Sequence, residues 1–389
     1  MATDGLEPIG VSLQANARGG ADVAVGDTAL SQIENPATLG LLDRRFDFCG
    51  QLGIPIATWR GPLETAESHR QLIGLANVGL AWPLDDRWTF GLAVHSKAGL
   101  GTAYRMRHLM IPWMDRDVGA DMKCIGLHAN TSYRVSERLL VGGGLRLDIA
   151  QAQFSTVLGP ADLEFGEGRA IGGGFQLGAL YKLREDLTFG LAYRSPTWAG
   201  DLQGGQGKAS LFGVLPVPLG DVRIVDFSLP QRIAAGLAWD VDPRLKLVGE
   251  VRWLNYANSV LDVTTIQTDG WINVRYPLPL GYRDQWAFIL GAEYRLDEHW
   301  VVAAGYHYAT PPVPRENLLP MGSTISEHHI TAGLRYERDN WWVGLGYVLG
   351  LPTTLRGPGY SRIPRGVDYG LSEIEQTQHI IGLGFGFSW

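Results

Sequence analysis

Apolar and polar residues alternate along several stretches of this chain with a period of two, as in a β-strand whose faces meet different media. In Leu245 to Asn255, one face carries Leu245, Leu247, Gly249, Val251 and Trp253, and the other Lys246, Val248, Glu250, Arg252 and Leu254. Gln285 to Arg295 sets Trp286, Phe288, Leu290, Ala292 and Tyr294 against Gln285, Ala287, Ile289, Gly291, Glu293 and Arg295. His329 to Tyr336 keeps the same parity, with Ile330, Ala332, Leu334 and Tyr336 opposite His329, Thr331, Gly333 and Arg335. Charge gathers on one face each time. The pattern predicts an apolar outer wall around a polar, cross-paired interior.

Short polar turns separate such segments at Leu84 to Arg87, Val135 to Arg138, Leu183 to Asp186, Asp240 to Arg244, Leu296 to His299 and Glu337 to Asn340. These six turns alternate with seven long connections, and the thirteen links join fourteen strands. The expected strands are 44–57, 71–83, 88–98, 120–134, 139–157, 168–182, 187–199, 226–240, 244–263, 282–296, 299–310, 326–337, 340–351 and 374–389. Short turns at one end and long loops at the other describe a bacterial outer-membrane barrel. The fold class predicted is therefore all-β: a 14-stranded antiparallel transmembrane β-barrel over 44–389, with a partly helical N-terminal hatch over 1–43 inside the lumen.

The outward loops expected are Thr58 to Arg70, Gly99 to Gly119, Gly200 to Val225, Thr264 to Gly281, Pro311 to Ser323 and Pro352 to Glu373. Pro311, Pro312 and Pro314 lack the N–H that a ladder needs. Arg146, Asp148, Glu250 and Arg252 are expected to face inward as members of lumenal ion pairs.

Composition fits this picture. The 389 residues include 51 Gly, 13 Trp, 14 Tyr and 12 Phe, suited to close strand packing and interfacial anchoring, and the mean hydropathy of -0.02 averages two unlike faces. No run of about 18 uncharged apolar residues marks a membrane helix, and a barrel needs none. A net charge of -7 argues against nucleic-acid binding, which favours a basic surface. Cys49 and Cys124 fall in separate strands and are expected to be structural. The opening MATDGLEPIG lacks the basic start and apolar core of a secretory signal, so a processed chain with a replacement Met1 is expected.

Residues 1–43 do not alternate. Val23, Leu30 and Ile33 among small residues predict one or two short helices, and Asn35-Pro36 predicts a helix stop followed by an extended step. A bore of about fourteen strands conducts water unless something fills it, and this segment is the economical filler.

Arg18, Gly19 and Gly20 through Asn35, Pro36 and Ala37 resemble the hatch of the FadL/TodX family of outer-membrane transporters for long-chain fatty acids and aromatic hydrocarbons. The resemblance continues through Trp88 to Leu92 with Gly99 to Tyr104, through Leu229-Pro230, and through Trp300 to Pro314, so it covers essentially the whole chain. It implies capture of apolar ligands at the outer face, an internal site, a hatch that rearranges, and a lateral exit at a kinked third strand. Ser96, Lys97, Ala98, Gly99, Leu100 and Gly101 are the expected exit, with Gly99 and Gly101 bending the strand. Tyr104, Met106, Leu109, Met110, Trp113, Phe212 and Leu215 are the expected capture surface, methionine supplying adaptability. Implied partners are a fatty acid, a hydrocarbon or a detergent in its place, outer-membrane lipid and lipopolysaccharide, and the barrel-assembly machinery, through a last strand that ends on aromatic Trp389.

No cofactor or metal is expected. The chain lacks a GxSxG elbow, an HExxH pair and a CxxC pair, so catalysis is not expected. The competing readings are a general or polar-solute porin, which needs an open bore, and an adhesion barrel, which needs no elongated apolar cavity.

Overall fold

The computed structural model describes residues 3–69, 72–270, 273–322 and 324–389. Fourteen strands close into one antiparallel barrel among them. They are β1 Arg45–Arg60, β2 Ile73–Pro83, β3 Trp88–His108, β4 Ile111–Arg134, β5 Leu139–Leu158, β6 Ala161–Arg184, β7 Leu187–Arg194, β8 Arg232–Asp240, β9 Leu245–Leu254, β10 Gln285–Arg295, β11 Trp300–Ala309, β12 His328–Arg338, β13 Trp341–Arg356 and β14 Glu373–Ser388. Closure runs from Ser388↔Arg45 to Glu373↔Arg60 between β14 and β1 without a register shift. The alternation reads out directly: Leu290 and Ile330 are exposed on the wall while Ile289 and Thr331 are buried inside.

Three expected loops are strands instead. Gly99 to Gly119 continues β3 and β4 as a hairpin; Leu202–Leu211 pairs with Leu215–Val225 beyond β7 and β8; and Val263–Asp269 pairs with Arg275–Pro279. A strand needs about 9–11 residues to cross the hydrocarbon, whereas β3, β4 and β6 have 21, 24 and 24. Their outer halves lie beyond the hydrocarbon layer, so the outward face there carries Arg105, Arg107 and Asp117 instead of apolar residues, while Tyr104, Met106, Val118 and Phe165 stay buried inside and the ladder continues. β9 errs the other way, ending at Leu254 rather than residue 263, because Asn255 leads into a helical turn at Tyr256–Asn258 that folds Tyr256 inward. The starts of the expected loops at 58 and 352 are likewise still strand, and Arg70, residues 271–272 and Ser323 of the expected loops lie outside the described residues.

Three of the short turns share a device. The Oδ1 of Asp85 accepts the N–H groups of Arg87 and Trp88, both at 2.8 Å, and Asp297 does the same with His299 and Trp300. This Asx geometry closes each turn with a side chain where the backbone would leave donors free. Those two backbone N–H groups hold each carboxyl below the usual carboxylate range. Asp242 caps its own turn in the same way.

Inside the barrel, residues 4–39 are buried except for the partly exposed Gly26 and Asp27. The segment contains helix α1, Leu13–Ala17, capped by Ser12 Oγ accepting from Ala15 N at 3.0 Å, and short helical turns at Ala29–Ile33 and Pro36–Leu41. Asn35 stops the first turn as expected, in an extended conformation. The following step is not extended, however: Pro36 opens a second helical turn, where its fixed φ and missing N–H suit the first position.

Glycine makes room for this segment. A Cβ on Gly79 of β2 would lie 2.8 Å from the Ala29 carbonyl carbon, one on Gly142 of β5 2.5 Å from Ala37 N, and one on Gly291 of β10 2.6 Å from Arg18 O. Gly178, Gly190 and Gly305 are as tight against Asn35, Val23 and Gly19. Flat inner wall is what allows backbone to lie on backbone. Gly142→Val is expected to cost roughly 1–3 kcal/mol through overpacking and to loosen residues 1–43. Limited proteolysis of the folded barrel checks this, the variant being nicked in that segment under conditions where the parent resists.

Candidate functional site

The segment is held to the barrel by buried charge. Arg18, which follows α1, pairs with Asp22 at 3.1 Å, Asp27 at 2.6 Å and Glu293 of β10 at 2.9 Å. Gly19 and Gly20 adopt φ of +76° and +106°, open to glycine at little steric cost. Their turn lets Gly19 N donate to Thr331 Oγ1 at 2.9 Å, Gly19 O meet His307 Nδ1 at 2.9 Å, and Gly20 O accept from Arg252. Arg252 also pairs with Glu250 and donates to Ile9 O at 2.7 Å, while Glu250 Oε2 accepts the N–H groups of Asp22 and Val23. Glu7 meets Arg194 and Arg232, and Glu34 meets Arg232. Asn35 donates to Val23 O at 2.7 Å and Ala179 O at 3.1 Å while its Oδ1 caps Ala37 N.

Arg146 and Asp148 of β5 form another buried pair, Nε to Oδ2 at 2.7 Å, and Lys97 of β3 joins the same carboxylate oxygen at 2.7 Å. His95 and His128 lie beside them with rings 4.7 Å apart. The histidine at 95 and the serine at 96 do not share a face, and among the described residues no group of three or more His, Cys, Asp or Glu side chains is placed to hold a metal. Cys49 and Cys124 are buried free thiols.

Above the segment an apolar column rises to the mouth. Its lower part gathers Leu6, Ala98, Met122, Phe165, Phe227 and Tyr256, and its upper part Trp59, Tyr104, Met106, Ile111, Leu319 and Tyr369. Phe154, Ile266, Leu280 and Leu355 pack against both parts, which makes the column continuous. It contains a cavity of about 90 Å³ bounded by Met122, Phe227, Leu261, Tyr282, Val313 and Met321. Tyr256 forms the floor, its hydroxyl accepting Leu6 N at 2.9 Å and donating to Asp4 O. Tyr369, from the short helix α2 at Val367–Gly370, closes the mouth by donating to Val157 O and setting its ring edge-on to Trp59. Burial pushes the Tyr369 phenol well above its ordinary pKa.

The column ends beside an interrupted wall. β2 and β3 pair only from Val78↔Val94 to Pro83↔Thr89, although β2 continues to Ile73 and β3 to His108. Beyond that point side chains replace the ladder: Asn77 Oδ1 accepts Ser96 N at 2.9 Å, and Ser96 Oγ accepts Ala76 N at 3.3 Å. The next direct contact is His69 N to Ala103 O at 2.7 Å. Gly99 N instead donates to Leu6 O of the amino-terminal segment at 3.2 Å. Gly99 and Gly101 stay in register with Lys123 and Asp121 of β4; the register shift lies earlier, between Ser96 and Ala98. The Leu100 side chain lies outside the described residues.

The residues expected to capture ligand divide. Tyr104 and Met106 are buried in the upper column, whereas Leu109, Met110 and Trp113 are exposed at the β3–β4 tip and Phe212 and Leu215 at the tip beyond β7. The cavity residues Phe227, Leu261, Tyr282 and Met321 are not singled out from the sequence: the first three fall at the ends of expected strands, and all four lie outside the observed ones.

A family model for outer membrane protein transport proteins (OMPP1/FadL/TodX) matches residues 11–322. The chain belongs to this family. It is 22% identical over 385 residues to the long-chain fatty acid transport protein of Escherichia coli O6:H1, covering 84% of this chain and 82% of that one. The Pseudomonas putida toluene transporter TodX matches its fold at a TM-score of 0.81 with 20% identity, over 98% of this chain and 99% of that one. A Pseudomonas aeruginosa FadL homologue matches at 0.81 with 16% identity, over 99% of each chain. This FadL/TodX member is thus an outer-membrane β-barrel of a family that transports hydrophobic compounds, and it is not an enzyme.

Removing Arg18 leaves three carboxylates facing one another in a buried setting. Arg18→Met is expected to lower stability by about 3–5 kcal/mol, the usual cost of stranding buried charge. Denaturant unfolding of the detergent-solubilised protein measures it.

Proposed function

We propose that this protein passively transports hydrophobic or amphipathic small molecules, of the long-chain fatty acid or hydrocarbon class, by outer-face capture, an internal apolar site, hatch rearrangement and lateral exit. Residues 1–43 are the hatch and 44–389 the barrel. The observation that carries the reading is the conjunction of a continuous apolar column with an unpaired strand edge at its lower end. Apolar cargo gains nothing from a water-filled pore, but it keeps its favourable burial if it passes from an apolar column through a side opening into lipid.

Each group then has a place. Leu109, Met110, Trp113, Phe212 and Leu215 present apolar surface at the hairpin tips, and Tyr104 and Met106 lead inward from them. The cavity marks the internal site, which widens around a long cargo, and Ser96 to Gly101 borders the exit. Arg18 to Gly20 and Asn35 to Ala37 gate by holding the segment against the inner wall. Glu250 and Arg252 serve that attachment, since both bond backbone groups of the segment.

A reversible staple tests the exit. Ala76 and Ser96 already touch through a hydrogen bond across the interruption. The Ala76→Cys, Ser96→Cys double variant is expected to lose at least tenfold of its uptake of a radiolabelled hydrophobic probe when oxidised and to regain it on reduction. Uptake at the parent rate by the fully oxidised protein eliminates the lateral route.

Conductance tests the hatch. In planar bilayers the intact protein is expected to show little steady ion current. Deleting residues 1–40 is expected to open a stable conducting bore; equal conductance with and without the segment removes its role as the stopper and favours a general porin.

A further inference from the structure

β3 changes face at one residue. Ahead of the interruption Gly91, Ala93 and His95 point inward, so odd positions are buried; past it Ala98, Thr102, Tyr104 and Met106 do. Lys97 is the residue that makes the switch, lying between Ser96↔Ile125 and Ala98↔Cys124 with no partner of its own on β4. Both Lys97 and Ala98 are buried facing the interior. This is a β-bulge, which bends its strand and increases the local twist. The β2–β3 ladder stops at Val94, three residues before it.

A bulge alone does not say which way the strand leans. The Lys97 ammonium does, because its bonds reach across the interior and away from β2. It pairs with Asp148 of β5 at 2.7 Å and contacts the hydroxyl of Thr197, in the short strand Thr197–Ala199 that follows β7. Thr197 donates to the same Asp148 oxygen, which also receives Arg146 Nε. Lys97 and Asp148 side chains are 0% and 1% exposed, so water screens this pairing little.

We infer that Lys97 is a positioning residue whose clamp on Asp148 draws the β3 bulge inward and keeps the β2–β3 edge unpaired. This rests on the lateral-exit reading and supplies what holds that exit in shape. Asp148 takes two cations, so a chain without the Lys97 charge still leaves the Asp148 carboxylate matched by Arg146. Lys97→Met therefore removes the clamp without stranding a carboxylate, and heat-modifiability on gels verifies that its barrel folds.

Hydrogen exchange at the peptides spanning 72–78 and 96–103 reads the edge directly. In Lys97→Met the freed strand is expected to settle against β2, slowing exchange there at least tenfold, and uptake of the radiolabelled hydrophobic probe is expected to fall at least fivefold while its binding to purified protein stays within twofold. Lys97→Arg, which keeps a cation for Asp148, is expected to recover most of the uptake and the parent exchange rate. Unchanged exchange in Lys97→Met overturns the clamp, whether or not uptake falls, because a residue acting elsewhere would leave the edge as it was. The Ala76–Ser96 staple separates the two ideas: if it blocks uptake while Lys97→Met matches the parent, the exit stands and the clamp fails; if neither variant reduces uptake, both fail.

Discussion

A polypeptide lying inside a barrel brings a donor and an acceptor at nearly every residue into a space with little water, and each must be matched. That requirement governs this structure. The amino-terminal segment matches some of its own groups in α1 and the helical turns, and the barrel supplies the others. Glu250 takes two consecutive N–H groups, Arg252 takes two carbonyls, and Asn77 and Asn130 reach in from the wall to Val11 and Gln32. Among the described residues the lumenal charges are thus largely consumed in holding polypeptide, and they form no free basic row of the kind that attracts anions to a conducting pore.

Two wall chemistries share the work around the bore. Glycine lets the backbone of the segment touch strands on most sides, and between those contacts lie ionic groups in which acid and base offset each other's desolvation. Above Leu6 aliphatic, aromatic and methionine side chains predominate, with tyrosine hydroxyls such as those of Tyr282 and Tyr369 satisfied by backbone carbonyls. The boundary is sharp at Tyr256, whose hydroxyl serves the segment below while its ring joins the column above. The apolar lining thus extends from the mouth to that depth, and charged backbone attachments lie below it. At the same level the β2–β3 ladder is interrupted, while β3 keeps its pairing with β4.

Much of the barrel was legible in the chain. A strand between lipid and lumen has to alternate, so Leu245 to Leu254 and Gln285 to Arg295 announced themselves, and short polar stretches such as Leu84 to Arg87 and Leu296 to His299 marked the turns. The reading faltered where the outward face meets water instead of lipid. The outer halves of β3, β4 and β6 show no lipid face, so their extended ladders passed for loops. Val260 and Leu261 fall at the end of an expected strand, but the chain leaves the sheet after Leu254, and they line the cavity together with Met321. At the candidate site, Arg18, Asn35 and the stretch from Ser96 to Gly101 stood out by resemblance, yet glycine drew attention at 99 and 101 while the break in register sits at Lys97.

By itself, then, the sequence determined strand number, strand direction and which residues face lipid, since each of these follows from local periodicity and turn chemistry. Tertiary structure alone decided which inward charges pair, which glycines admit the segment, and where the β2–β3 ladder breaks. Those outcomes depend on groups far apart in the chain, such as Lys97 with Asp148 or Glu7 with Arg194, being brought within hydrogen-bonding distance by closure of the barrel. A period of two specifies a face, but only the closed cylinder specifies what that face will meet.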